Sequence, residues 1–187
     1  MGEWSASGDG ADNGASGPEP PDGVPCNYQL AAWLMAIGAA SGQRPPVNAA
    51  VRACVGALIL NPRGEVFVQR RAPAAAVWPG VWDIVGGHME PGESTADALA
   101  REVREETGWA VVRIGPLVAE WEWEHGAIVR REYDYFVDVL GDLSAPTLNP
   151  NEHDAWMWIG AESLDRLLEG TNGDTRLRQL VARALSM

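Results

Sequence analysis

The amino-acid sequence predicts an α/β fold in which a mixed β-sheet is covered by helices on both faces. Three observations lead there. From Val51 onward, β-branched and aromatic runs alternate with turn residues. One strongly capped helix interrupts those runs, and two further helical stretches close the chain.

The elements follow in order. "VRACVGALIL" (Val51–Leu60) reads as a strand, "NPRG" (Asn61–Gly64) as a turn, and "EVFVQRR" (Glu65–Arg71) as a returning strand. Residues 72–80 form a loop, and "WDIV" (Trp82–Val85) is a short strand running into Gly86 and Gly87. The best helix spans Ser94–Thr107: Ser94 and Asp97 make a capping box, Leu99 and Val103 an apolar pair, and Gly108 the stop. Strands are expected at Val111–Ile114, Leu117–Glu124, Ala127–Leu140 and Ala155–Ile159, with helices at Ala161–Gly170 and Thr175–Leu185. No internal repeat is present.

At 187 residues the chain suits a single domain with a real core. The organisation reads as a disordered tail over residues 1–25, an accessory helix and linker over 26–46, and the main domain over 47–187. The tail carries five acids and no base among Gly, Ser and Pro, too polar to offset the entropy of ordering. "LAAWLMAIGAA" (Leu30–Ala40) places Leu30, Trp33, Leu34 and Ile37 at helical spacing but is too short to span a bilayer. The first basic residue is Arg44, which argues against a secretory signal.

The net charge of −12 excludes nucleic-acid backbones and anionic membranes as partners. All 14 basic residues are arginine, so lysine nucleophiles and Schiff bases are excluded too. Cys26 and Cys54 have neither metal-ligand spacing nor a redox motif, and a reducing cytoplasm fits them. Monomer and homodimer are both compatible with this composition.

Chemistry concentrates in "GGHMEPGESTADALAREVREETGW" (Gly86–Trp109). At ~100° per residue, Glu105, Glu102 and Glu106 span roughly 100° of the helix circumference beside the Leu99/Val103 stripe. Like charges so placed destabilise a helix, and at the edge of a packed interface the repulsion grows. Hard divalent cations bound by carboxylates and substrate phosphates relieve it. Gly86 and Gly87 let backbone carbonyls approach a ligand, while Arg101, four residues before Glu105, can orient a carboxylate.

The succession Gly87, Glu93, then Arg101-Glu102-Val103-Arg104-Glu105-Glu106-Thr107-Gly108 resembles the Nudix box. Every defined position matches except the last, where Trp109 replaces a smaller aliphatic residue. The resemblance implies a Nudix-type α/β/α sandwich and water attack on a nucleoside diphosphate derivative, a MutT-like nucleotide pyrophosphatase activity. It makes Glu102, Glu105 and Glu106 ligands of Mg²⁺ (with Mn²⁺ as substitute), adds the Gly86 carbonyl, and has Glu93 and Arg101 hold loop and helix in register. The catalytic set is therefore Glu93, Arg101, Glu102, Glu105 and Glu106.

For the proton acceptor, Glu102 within the box and Asp138 and Glu152 outside it are candidates. His88 and His153 are read as polar loop surface. Arg70 and Arg71 alternate on one strand, so one of them faces the cleft and can clamp diphosphate oxygens. Trp82 is a candidate for stacking on a base. The partner expected is a small nucleotide.

Two rival functions remain. "WPGVWDIVGGHME" (Trp78–Glu90) is similar to isopentenyl diphosphate isomerase, a Nudix relative whose catalytic cysteine falls at Gly86 here. The other rival is a non-catalytic nucleotide-binding regulatory module, a class that commonly loses box carboxylates. None is lost here.

Overall fold

A computed structural model describes residues 51–125 and 128–187. The readings for 1–25 and 26–46 lie outside the described residues. The elements are β1 (Val51–Leu58), β2 (Val66–Arg71), β3 (Trp82–Asp83), β4 (Val85–His88), α1 (Thr95–Thr107), β5 (Ala110–His125), β6 (Ile128–Leu140) and β7 (His153–Ile159). A 3₁₀ helix (Ala161–Leu168) and α2 (Arg176–Leu185) complete them.

The strands form two sheets. One has the order β4-β1-β6-β5 and is mixed, because β1 runs parallel to β6 while its other pairings are antiparallel. The other, β3-β2-β7, is antiparallel throughout. A single strand at Trp82–Val85 was expected. Instead the chain leaves one sheet at Asp83 and joins the other at Val85, with Ile84 buried at the crossing. That crossing sets Gln69 opposite Asp83 and Gly86 opposite Gly56, so the two sheets meet beside the glycine pair.

Apolar residues fill both faces. Val55, Ala57, Ile59, Phe67 and Val85 pack on Ala98, Leu99 and Val103 of α1. Leu58, Val66, Val68 and Ile84 pack on Leu167 of the 3₁₀ helix and on Leu180, Val181 and Ala184 of α2. This is the α/β/α layering expected, with the sheet layer divided in two.

Helix α1 begins as its sequence dictates. The Ser94 hydroxyl accepts from the Asp97 N–H, and Gly108 adopts φ 74° with its N–H donating to the Arg104 carbonyl. Trp109, the departure from the box pattern, is a core residue. Its ring meets Phe67 edge-on at 4.9 Å, and its indole N–H donates to the Asp142 carbonyl at 3.0 Å.

Strand β5 also differs from expectation. It runs unbroken through Gly115 and Pro116, with its register against β6 shifting between Ile114 and Leu117 and again before Ala119. Proline lacks the N–H a ladder needs, so the irregularity is the bulge that accommodates it. The stretch Ala161–Gly170 winds as a 3₁₀ rather than an α-helix. No helix among the described residues is long and apolar enough to cross a membrane.

Candidate active site at the junction of the two sheets and helix α1

Arg101 organises the exposed half of the cluster. Its guanidinium meets both oxygens of Glu93, at 2.9 and 3.0 Å, and donates to Glu102 Oε1 at 2.8 Å and to the His88 carbonyl at 2.9 Å. A longer bond of 3.4 Å reaches Glu105 Oε2. The fork geometry of arginine permits this sharing. The Arg101 pairing holds Glu93 below the usual carboxylate range.

Glu102 responds oppositely. Burial pushes it up against the opposing pull of Arg101, and the charges of Glu105 and Glu152 raise it further. Its carboxylate lies against β4: a Cβ at Gly87 would come within 2.2 Å of Glu102 Oε1. Position 87 is glycine because the glutamate occupies the space a side chain would need.

Glu106 forms the buried half, with 5% of its surface exposed. Its Oε2 accepts from Gln69 Nε2 at 2.6 Å and from the Gly86 N–H at 3.0 Å. Burial nevertheless lifts it well above the ordinary glutamate range, and the Glu102 charge adds to the rise. Its Oε1 faces His153 Nδ1 at 3.9 Å. Oxygens of Glu106 and Glu152 and a ring nitrogen of His153 all lie within 4.8 Å of one another.

Of the two outside candidates for proton acceptor, the fold brings Glu152 to the cluster. Asp138 is not brought there. It is half exposed and held by Arg113 Nε at 2.7 Å, through cross-strand pairing of β5 with β6.

The two arginines of β2 separate as strand alternation requires. Arg70 is held by both oxygens of Asp154, at 2.8 and 3.1 Å. Arg71 donates to the Val77 carbonyl at 2.6 Å and approaches Asp83 Oδ2 at 4.0 Å. Its charge depresses His153, so Arg71 is the one near the cluster. Trp82 is 5% exposed and belongs to the apolar core, with its indole N–H directed at Glu169 Oε2 3.4 Å away. It contributes to one wall of a cavity rather than an open stacking face.

That cavity, about 480 Å³, is lined by Trp78, Trp82, Trp121, Asp83, Glu132 and Arg176 among others. Arg176 lies over the ring of Trp121 at 5.2 Å. Indole N–H groups of Trp121 and Trp123 donate to Asp134 Oδ2 and Glu132 Oε2 at 2.8 and 2.7 Å. Asp83 is raised to about 6 and Asp134 to about 7, in both cases chiefly by burial. Glu132 lies well above the ordinary glutamate range, raised by burial and then by the Asp134 charge. The Asp83 side chain lines the cavity and is 34% exposed, and its charge adds to the rise at Glu106.

Gln69 and the acids of the cavity have no counterpart among the residues the sequence singles out. His153 was expected at the surface and is 2% exposed instead, because it opens β7 opposite Arg71. Burial and Arg71 lower its pKa to about 4, so the imidazole is neutral. His88 is exposed, as expected of polar surface, and its Nε2 accepts from Arg130 Nε at 2.8 Å. Cys54 is the small core residue expected of an apolar run, its thiol pushed up to about 12.

Comparisons with known proteins agree with this architecture. A MutT protein from Methanosarcina mazei Go1 superposes with a TM-score of 0.60 at 29% identity, covering 72% of this chain and 92% of that one. An isopentenyl-diphosphate Delta-isomerase from Enterobacter sp. (strain 638) is 34% identical over 119 residues, 60% of this chain and 63% of the isomerase. The CTP pyrophosphohydrolase of Escherichia coli (strain K12) is 35% identical over 109 residues, 58% of this chain and 76% of that enzyme. The match thus spans under two thirds of the isomerase's length. The NUDIX domain family matches residues 50–181, most of the chain. Because that domain covers well over half of the sequence, the chain belongs to the Nudix family.

Proposed function

We propose that this protein is a Mg²⁺-dependent hydrolase that cleaves a diphosphate linkage in a nucleoside di- or triphosphate derivative. The observation that carries this reading is that Glu106 and Glu152 come together in one cluster while Arg101 is shared between Glu102 and Glu105, with no box carboxylate replaced and none given a basic partner of its own. The donor set fits a hard divalent cation, since carboxylate oxygens dominate it and Gly86 leaves the backbone approachable. Glu102, Glu105, Glu106 and the Gly86 carbonyl would hold the ion, whose chemistry is to neutralise phosphoryl oxygens and lower the pKa of water.

The remaining work belongs to the chain. Arg101 fixes Glu102 against Glu93, so the carboxylate is oriented before substrate arrives. Gln69 and the Gly86 N–H hold one oxygen of Glu106 and set the direction of the other. Glu152 lies close enough to accept a proton from attacking water, and Arg71 can meet diphosphate oxygens. The tryptophan-lined cavity beside Asp83 has the volume and aromatic walls to seat a base while excluding water.

The isomerase reading draws on the similarity at 34% identity. Against it, a Cβ at position 86 would lie 2.2 Å from the Val55 carbonyl oxygen. No cysteine fits there without a shift of the β1–β4 pairing. The regulatory-module reading needs lost carboxylates, and the sequence keeps Glu102, Glu105 and Glu106.

The test is release of phosphate or pyrophosphate from a panel of nucleotides with Mg²⁺, with and without excess chelator. Turnover that stops with chelator and falls by orders of magnitude in Glu105→Gln and Glu106→Gln supports the hydrolase. Undiminished hydrolysis in chelator sinks it, and binding without turnover favours the module.

A further inference from the structure

We propose that His153 is a nitrogen ligand of the cation, which raises this site's preference for first-row transition-metal ions such as Mn²⁺ relative to Mg²⁺. The inference rests on the cation site proposed above but adds a donor that a carboxylate box does not contain.

His153 Nδ1 is buried and has no hydrogen-bond partner among the described residues. A buried polar atom of this kind is destabilising when nothing satisfies it. Its surroundings supply the reason. Gln69 and the Gly86 N–H occupy Oε2 of Glu106, while Oε1 faces the imidazole at 3.9 Å, too far for a hydrogen bond.

The backbone holds both neighbours in place. The N–H groups of Glu152 and His153 both donate to the Asn149 carbonyl, at 3.0 and 2.8 Å, and the Glu152 carbonyl accepts from the Ala72 N–H at 2.7 Å. One donor atom each from Glu106, Glu152 and His153 then lies within 4.8 Å of the others. Atoms bonded to one ion at roughly 2.1–2.2 Å are separated by at most about 4.4 Å. A modest inward movement of these side chains closes the site.

Imidazole suits the later first-row ions best, and Mn²⁺, the first of that affinity series, accepts it more readily than Mg²⁺, which takes oxygen almost exclusively. One nitrogen among carboxylates therefore tilts the preference without excluding Mg²⁺.

The experiment is three-pulse electron spin-echo modulation of Mn²⁺ bound to the full chain, repeated with ¹⁵N-histidine label and with His153→Gln. A ¹⁴N modulation that changes with the label and disappears in the variant is expected. The Mn²⁺ over Mg²⁺ binding ratio, measured by titration, should fall on the order of tenfold in His153→Gln.

If Mn²⁺ binds, is displaced by Mg²⁺ and is weakened by Glu106→Gln, yet shows no nitrogen modulation, the inference is overturned and the carboxylate site stands. If no Mn²⁺ binds at all, both fall together. The label on the unaltered chain decides the matter even where His153→Gln folds poorly. Retention of the signal in His153→Gln with its loss in His88→Gln would also overturn the assignment.

Discussion

Asp134 should make the protein less stable at pH 8 than at pH 5, and Asp134→Asn should remove much of that loss. The residue is fully buried on β6, where Oδ2 accepts from Trp121 and Oδ1 has no hydrogen-bond partner among the described residues. Burial lifts its pKa from 3.8 to about 7. Because the folded value is raised, the folded state binds more protons than the unfolded state between these limits. Stability is therefore full below about pH 4 and is lost as pH rises through about 7. Three units at 1.36 kcal/mol each set a ceiling of about 4 kcal/mol. Relief of the Asp134 charge lets Glu132 ionise more readily, so the gain for the variant lies at roughly 2–4 kcal/mol. An asparagine oxygen still accepts from Trp121 and never ionises. Thermal unfolding of parent and variant in chelator, at pH 4.5 and 8, measures the difference. A gain of roughly 5–12 °C at pH 8, shrinking to about 2 °C at pH 4.5, is expected. His153, whose lowered pKa gives the opposite slope, is common to both chains and cancels. A variant no more stable than the parent at pH 8, with an unchanged pH slope, refutes the reasoning.

Arg101→Lys keeps the charge but loses the fork that spans Glu93, Glu102 and the His88 carbonyl. Turnover should drop at least about tenfold, with a stability loss of about 1–3 kcal/mol in thermal melts; a fully active variant would show that the fork does not position Glu102. Deleting Met1–Pro25 should leave melting temperature and turnover nearly unchanged, since every residue assigned to the site follows Val47. Loss of activity in a truncated chain that still folds would place the tail in the site.

Helix α1 was legible because its information is local. A cap, an i, i+4 apolar pair and a terminal glycine decide where it starts, which face it buries and where the glutamates point. The divided sheet was not legible, since nothing in "WDIV" marks Ile84 as the crossing from one sheet to the other. Gln69 and His153 were hidden for the same reason. Gln69 reaches Glu106 across 37 positions of sequence, and His153 is buried only because β7 pairs with β2. A polar loop residue and the first residue of a strand have the same local sequence. The Trp109 departure from the box could be seen but not interpreted, because the Phe67 ring it packs on lies on a distant strand.

The repulsion among the helix glutamates has two different resolutions, and the fold accommodates both. Arg101 is shared among Glu93, Glu102 and Glu105, so one positive charge faces three carboxylates. Glu106 receives only neutral donors, Gln69 and the Gly86 N–H. Burial raises Glu102 and Glu106, with neighbouring carboxylates adding to the rise, while Glu93, paired with the guanidinium, is lowered; without a cation the protein meets the deficit by proton uptake. A divalent cation offers the other resolution, because it stabilises the ionised forms and expels those protons. The two states compete for the same oxygens. Cation affinity must then rise with pH through the range in which Glu102 and Glu106 titrate, and the buried glutamate, Glu106, contributes most of that rise.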